Sequence, residues 1–86
     1  MRFRVFIEKK AHKQLEKFDE ETREYILNKV RELKQGFSSR LDIKKLRGYK
    51  NHYRLRLGDY RILFEMDDNK IIIYAILPRE KAYKRD

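Results

Sequence analysis

Cysteine and tryptophan are missing from the 86 residues, proline occurs once and glycine three times. Without cysteine there is no disulfide framework and no thiolate-bound metal, and the two histidines, His12 and His52, stand far apart in sequence. No structural zinc site is expected, and no cofactor. The scarcity of proline and glycine leaves no linker and no low-complexity segment, and no internal repeat is visible, so a single domain over residues 1–86 is expected. Long apolar runs are also missing. No stretch approaches the length of a membrane span, and the N-terminus enters an alternating strand pattern where a signal peptide would show a charged and then apolar segment. The expectation is a soluble, cytoplasmic protein. A chain this short hides only roughly 60 to 65% of its extended surface, so its stability is modest unless a partner helps.

Charge is what the chain has in abundance. Lysine plus arginine number 23 against 14 acidic residues, a formal net charge of +9, which points to a polyanionic partner. The excess is uneven: residues 1–43 hold 11 basic and 8 acidic side chains (+3), and residues 44–86 hold 12 and 6 (+6). Between Lys44 and Arg61 the basic residues Lys44, Lys45, Arg47, Lys50, Arg54, Arg56 and Arg61 meet Asp59 alone.

The densest information lies in Tyr53–Glu65. Two alternating runs flank Gly58-Asp59, a two-residue connection of the kind tight hairpins use. That turn sets Leu57 opposite Tyr60, Arg56 opposite Arg61, Leu55 opposite Ile62, Arg54 opposite Leu63, Tyr53 opposite Phe64 and His52 opposite Glu65. Alternation then gathers Tyr53, Leu55, Leu57, Tyr60, Ile62 and Phe64 on one face and Arg54, Arg56 and Arg61 on the other, which is expected to stay open to solvent. Like charges directly opposite are destabilising, and a bound polyanion would relieve the strain between Arg56 and Arg61.

The remaining elements follow from periodicity. Arg2–Glu8 alternates and reads as a strand. Lys9–Phe18 places Ala11, Leu15 and Phe18 at helical spacing, and Asp19 is positioned to cap a second helix with Ile26, Val30, Leu33 and Phe37 on one stripe, stopped by Lys34 and Gly36. Phe37–Asn51 reads as a polar, basic connection. Asp67-Asp68-Asn69 forms a turn, Ile71–Leu77 is an apolar strand expected in the sheet interior, and Pro78 ends it. The fold class expected is α+β: an N-terminal strand, a two-helix hairpin, then three antiparallel strands, with the helices on one sheet face. The last strand would carry Arg79 and Tyr83 to the rim of the open face.

An arginine-bearing sheet face suits phosphate, because guanidinium groups stay charged and bind phosphate oxygens in a fork. RNA cleavage by the neighbouring 2′-hydroxyl needs a base, positive charge on the phosphorane and an acid for the leaving oxygen. Cations supply the second requirement. Free tyrosine and lysine side chains titrate near 10, and in the hairpin only His52 belongs to a type that titrates near neutrality, so such a site needs an external scaffold to align its RNA. His52 itself reads first as a cross-strand partner of Glu65.

The segments Lys45-Leu46-Arg47-Gly48, Tyr53–Arg61 and Leu77-Pro78-Arg79-Glu80-Lys81-Ala82-Tyr83 resemble the RelE/ParE superfamily of toxins from prokaryotic toxin–antitoxin pairs, over nearly the whole chain. The resemblance implies a RelE-like microbial-RNase fold and a ribosome-dependent, metal-independent endoribonuclease that cuts messenger RNA in the decoding site. It implies that Arg61 and Arg79 stabilise the phosphorane and leaving group and that Tyr83 orients or activates the nucleophile. Arg54 and Arg56 stand where the family often has lysines, which keeps the charge and removes any general-base role; Arg56 is grouped with the catalytic set and Arg54 with the RNA contacts. Lys45, Arg47 and Lys81 resemble contacts to RNA. The implied partners are the ribosome, mRNA and an acidic, RelB-like antitoxin in a hetero-oligomeric complex. Two other readings stay open: a ParE-like poison of DNA gyrase or another topoisomerase, and a non-enzymatic basic module that binds RNA or the ribosome.

Overall fold

In the computed structural model, residues 2–82 are described; Tyr83, expected at the site, lies outside them. The chain runs β1 (Arg4–Ile7), α1 (Lys9–Glu16), α2 (Glu20–Leu33), β2 (Asp42–Lys45), β3 (His52–Leu57), β4 (Tyr60–Asp67), β5 (Lys70–Pro78) and α3 (Arg79–Ala82). The strands form one sheet in the order β1-β5-β4-β3-β2, with β1 parallel to β5 and every other pair antiparallel.

The hairpin register expected from Gly58-Asp59 is the one observed, from Leu57 opposite Tyr60 to His52 opposite Glu65. Gly58 has φ 57°, a left-handed conformation that glycine adopts without steric penalty. Leu55, Leu57, Ile62 and Phe64 are buried beneath Ala11 and Leu15 of α1 and Ile26, Val30 and Leu33 of α2, which identifies the covered face of the sheet. Burying this apolar surface is the main stabilising term, at roughly 25 cal/mol per Å² removed from water.

Two details of the helices differ from expectation. Helix α1 ends at Glu16, so Phe18 lies past it and packs edge-on against Tyr60, ring centroids 5.2 Å apart. Asp19 occupies the N-cap of α2 without a side-chain capping bond; its carbonyl accepts from the Arg23 amide at 3.0 Å, and Glu20 and Glu21 supply the favourable charge at the dipole's positive end. Phe37 lies beyond α2 and closes the core edge with its ring 5.2 Å from Tyr53 and 5.8 Å from Phe64.

Phe37–Asn51 is not wholly a connection. Its residues Asp42–Lys45 form β2, antiparallel to β3, with Asp42 opposite Arg56, Ile43 opposite Leu55, Lys44 opposite Arg54 and Lys45 opposite Tyr53. Buried Leu41 and half-buried Ile43 tack this strand to the core, while its short, charged composition is that of a protected sheet edge. The sheet therefore has five strands.

Strand β5 is interior, between β1 and β4, as its composition suggested. A register shift beside Leu63 and Phe64 pairs Leu63 with Ala75 and Phe64 with Ile73, leaving Tyr74 unopposed. This bulge keeps Ile71, Ile73 and Ile76 all buried although 73 and 76 differ in parity, and it turns Tyr74 to the uncovered face.

Candidate functional site

The uncovered face carries Arg4 against the Phe6 ring on β1 and Tyr74 on β5, and cations on β3 and β2. At one end of the β3–β4 hairpin, Arg56, Arg61 and Arg79 line a cleft of about 290 Å³ together with Gly58. Each arrives differently. Arg56 is the penultimate residue of β3, Arg61 sits opposite it in β4, and Arg79 begins α3 where β5 ends. The Arg79 amide donates to the Asp59 carbonyl at 2.7 Å, which ties the start of α3 to the hairpin turn.

Arg61 departs from expectation. Its place on the uncovered face predicted a solvated side chain, yet it is only 4% exposed. Its strand is the middle one, with Arg56 on one side and Leu77 on the other, and its Nη1 donates to the carbonyls of Gly58 at 2.7 Å and Tyr60 at 2.9 Å. A turn built around glycine thus holds a guanidinium at the floor of the cleft. Among the described residues no carboxylate lines the cleft, so these residues present positive charge with an immobilised donor, the arrangement that favours an anion.

Asp42, which sequence reasoning missed together with its strand, balances this charge from the edge. Its Oδ2 is 3.4 Å from Arg56 Nε and its Oδ1 is 3.7 Å from Arg54 Nη1. The signal was there in the alternation of Leu41 and Ile43 around Asp42, too short to stand out beside the lysines that follow.

A second concavity, of about 770 Å³, is lined by Lys44, Lys45, Arg47, Tyr49 and Arg54, among others. Lys45, Arg47 and Arg54, which the sequence nominated as RNA contacts, therefore come together; Lys81 is exposed on α3 and lines neither concavity. Lys44 and Tyr49 were not nominated. Beside this groove, His52 pairs with Glu65 at 3.8 Å as its register required, and its Nδ1 lies 3.1 Å from the Tyr74 hydroxyl. Burial, and then the charges of Glu65 and Tyr49, raise the Tyr74 hydroxyl above the ordinary tyrosine pKa. His12 is exposed on α1 beside Glu16. Among the described residues no cluster of three or more histidine, aspartate or glutamate side chains is placed to hold a metal ion, and no helix is long and apolar enough to cross a membrane.

Fold and cleft together define a small basic α+β protein of the RelE-like toxin architecture. Residues 5–83 match the family described as the ParE toxin of type II toxin–antitoxin systems, parDE, and the chain belongs to that family. It is 48% identical over 44 residues to toxin RelE3 of Methanocaldococcus jannaschii, a match spanning 51% of this chain and 50% of that protein. A relative carrying the name RelE1 from the same organism is 35% identical over 98% of each chain. The crystal structure of a RelB–RelE antitoxin–toxin complex from Methanococcus jannaschii superposes with a TM-score of 0.78 at 34% identity, covering 92% of this chain and 95% of that one.

Proposed function

We propose that this chain is a single cytoplasmic toxin domain, spanning residues 1–86, that acts as a ribosome-dependent, metal-independent endoribonuclease on messenger RNA. The observation that carries the reading is the convergence of Arg56, Arg61 and Arg79 on one cleft, with no carboxylate lining it among the described residues. When a 2′-oxygen attacks the adjacent phosphorus, negative charge builds on the phosphorane oxygens and then on the departing 5′-oxygen. Arg61, already fixed by two carbonyls, meets that charge with little reorganisation, and preorganised donors of this kind are worth about 10² to 10³ in rate. Arg79 and Arg56 close on the same phosphate from the rim. Tyr83 orients the attacking hydroxyl in this reading, on the strength of sequence resemblance.

Among the described residues, none that lines the cleft is of a type that exchanges protons near neutrality. The reaction therefore depends on alignment of the 2′-oxygen with the scissile bond, and the translating ribosome supplies it by holding the message in an in-line geometry; such positioning is worth up to about 7 to 11 kcal/mol. The cognate partner is an acidic, RelB-like antitoxin, as the M. jannaschii toxin–antitoxin complex suggests by similarity. It folds on the toxin, covers apolar surface such as the exposed Phe6 and neutralises the cationic face.

The test is primer extension on a message incubated with purified protein, with and without translating ribosomes. Cuts within codons that require ribosomes are the expected result; an intact message in both conditions would end the nuclease reading and return the topoisomerase poison to first place. Arg61→Ala separates an enzyme, which loses cleavage and keeps most of its affinity, from a passive binder, which loses about one phosphate contact and the matching part of its salt dependence. Melting with and without the protein encoded beside it tests the pairing, and no shift at excess partner would count against it.

A further inference from the structure

Tyr49 is a large aromatic side chain 49% exposed to solvent in the middle of a cationic groove. Its loop is pinned at both ends. The Leu46 amide donates to the His52 carbonyl at 2.8 Å, and the Met66 amide donates to the Asn51 carbonyl at 2.9 Å. Within the loop, Gly48 at φ 83° and Asn51 at φ 61° let the backbone turn sharply enough to present residue 49 at the groove. The ring is also placed from the side: it lies against His52, centroids 5.4 Å apart at 34°, and His52 is in turn anchored by Tyr74 and Glu65.

The cations around it are incompletely used. Arg54 Nη1 is buried with no hydrogen-bond partner, its nearest carboxylate, Asp42, standing 3.7 Å away. Lys44 and Arg47 complete a wall on which no acidic residue lies among the described ones. An aromatic platform flanked by cations is the arrangement by which proteins hold single-stranded nucleic acid, the ring taking a base and the cations its phosphates.

We propose that Tyr49 is a nucleobase platform, stacking one base of single-stranded RNA while Lys44, Arg47 and Arg54 hold the flanking phosphates. The inference rests on the RNA reading of the sheet face and adds to it a subsite outside the cleft. From His52 to Arg56 the strand advances about 13 Å, four residues at about 3.3 Å each, so the stacked base belongs to a nucleotide a short distance along the same strand as the phosphate in the cleft. Every base offers a π face, so the platform contributes affinity and register more than sequence readout, with purines favoured through their larger rings.

Fluorescence anisotropy with short labelled oligoadenylate and oligouridylate, using the intact protein without ribosomes, tests this directly. Tyr49→Phe is expected to bind oligoadenylate within about twofold of the parent, and Tyr49→Ala about tenfold more weakly, with the same dependence on salt. An abasic ribose-phosphate oligomer is expected to bind the parent and Tyr49→Ala equally. Circular dichroism of both variants shows whether the loop change has disturbed the fold, and Tyr49→Phe keeps the ring if alanine does. Equal oligoadenylate affinity of the alanine variant and the parent, an equal loss with the abasic oligomer, or no measurable binding by the parent would overturn the proposal. Stacking without ribosome-dependent cleavage would leave the platform standing and remove the nuclease; cleavage with no effect of Tyr49 on binding would do the reverse.

Discussion

Arg56 and Arg61 stand directly opposite each other across β3 and β4, yet only Arg61 is buried, its guanidinium donating to the carbonyls of Gly58 and Tyr60. The two like charges therefore contribute unequally to stability. Arg56→Ala removes a repulsion as well as the contact to Asp42 and is expected to change stability by no more than about 0.5 kcal/mol. Arg61→Ala strips donors from two turn carbonyls and is expected to lower stability by about 1 to 2 kcal/mol. Urea denaturation measures both, and ribosome-dependent cleavage is expected to fall in each. Equal destabilisation by the two variants would contradict this geometry.

Asp42 stabilises the arginines and opposes their use. It lies 3.4 Å from Arg56 and 3.7 Å from Arg54, with its side chain 53% exposed, so the ion pairs contribute less than about 1 kcal/mol. Asp42→Asn is expected to lower the denaturation midpoint slightly and to raise affinity for single-stranded RNA roughly two- to fivefold at low salt. Anisotropy at two salt concentrations checks it. Weaker RNA binding by this variant would mean that the carboxylate's main task is to hold the arginines in position.

Gly58 links the hairpin to the cleft. It takes φ 57°, and a Cβ there would meet no atom within 4 Å, so the effect of a side chain is conformational and not a clash. Gly58→Ala is expected to lose about 1 to 2 kcal/mol, and Gly58→Asn less, because asparagine tolerates the left-handed region. The Gly58 carbonyl also receives Arg61, so the alanine variant is expected to lose cleavage beyond what its stability explains. Denaturation and cleavage assays on the two variants separate these effects.

Most of the hairpin was legible because its information is local: a Gly-X turn fixes register, and register fixes faces. Strand β2 was not legible, since four residues, Asp42-Ile43-Lys44-Lys45, gain their strand identity only from pairing with β3. Arg56, Arg61 and Arg79 could be nominated from the sequence, and the structure places them together. The burial of Arg61 could not be read, because it depends on neighbours from two other strands and on turn carbonyls that no residue code records. Tyr74 was read as one more apolar position of β5, since nothing in an Ile-Ile-Ile-Tyr-Ala-Ile-Leu run marks where a bulge will fall.

That bulge makes Tyr74 a reporter of the uncovered face. Its pKa is raised first by burial and then by the negative charges of Glu65 and Tyr49, so the fold favours the neutral phenol. The sign follows: the stabilisation is fully present below the ordinary tyrosine range near 10 and is lost as pH rises through the higher folded value. Of the six tyrosines, Tyr74 is expected to ionise later than an unperturbed one in a spectrophotometric titration, and Glu65→Gln is expected to bring it part of the way back. Tyr74→Phe removes the contact to His52, lowering stability near neutrality by about 1 kcal/mol, but it also removes this alkaline loss. Between about pH 8 and about pH 11, the parent's melting temperature is therefore expected to fall further than that of Tyr74→Phe. Parallel declines would mean that Tyr74 ionises without opposition from the fold, and that the His52 contact does not depend on the phenol staying neutral.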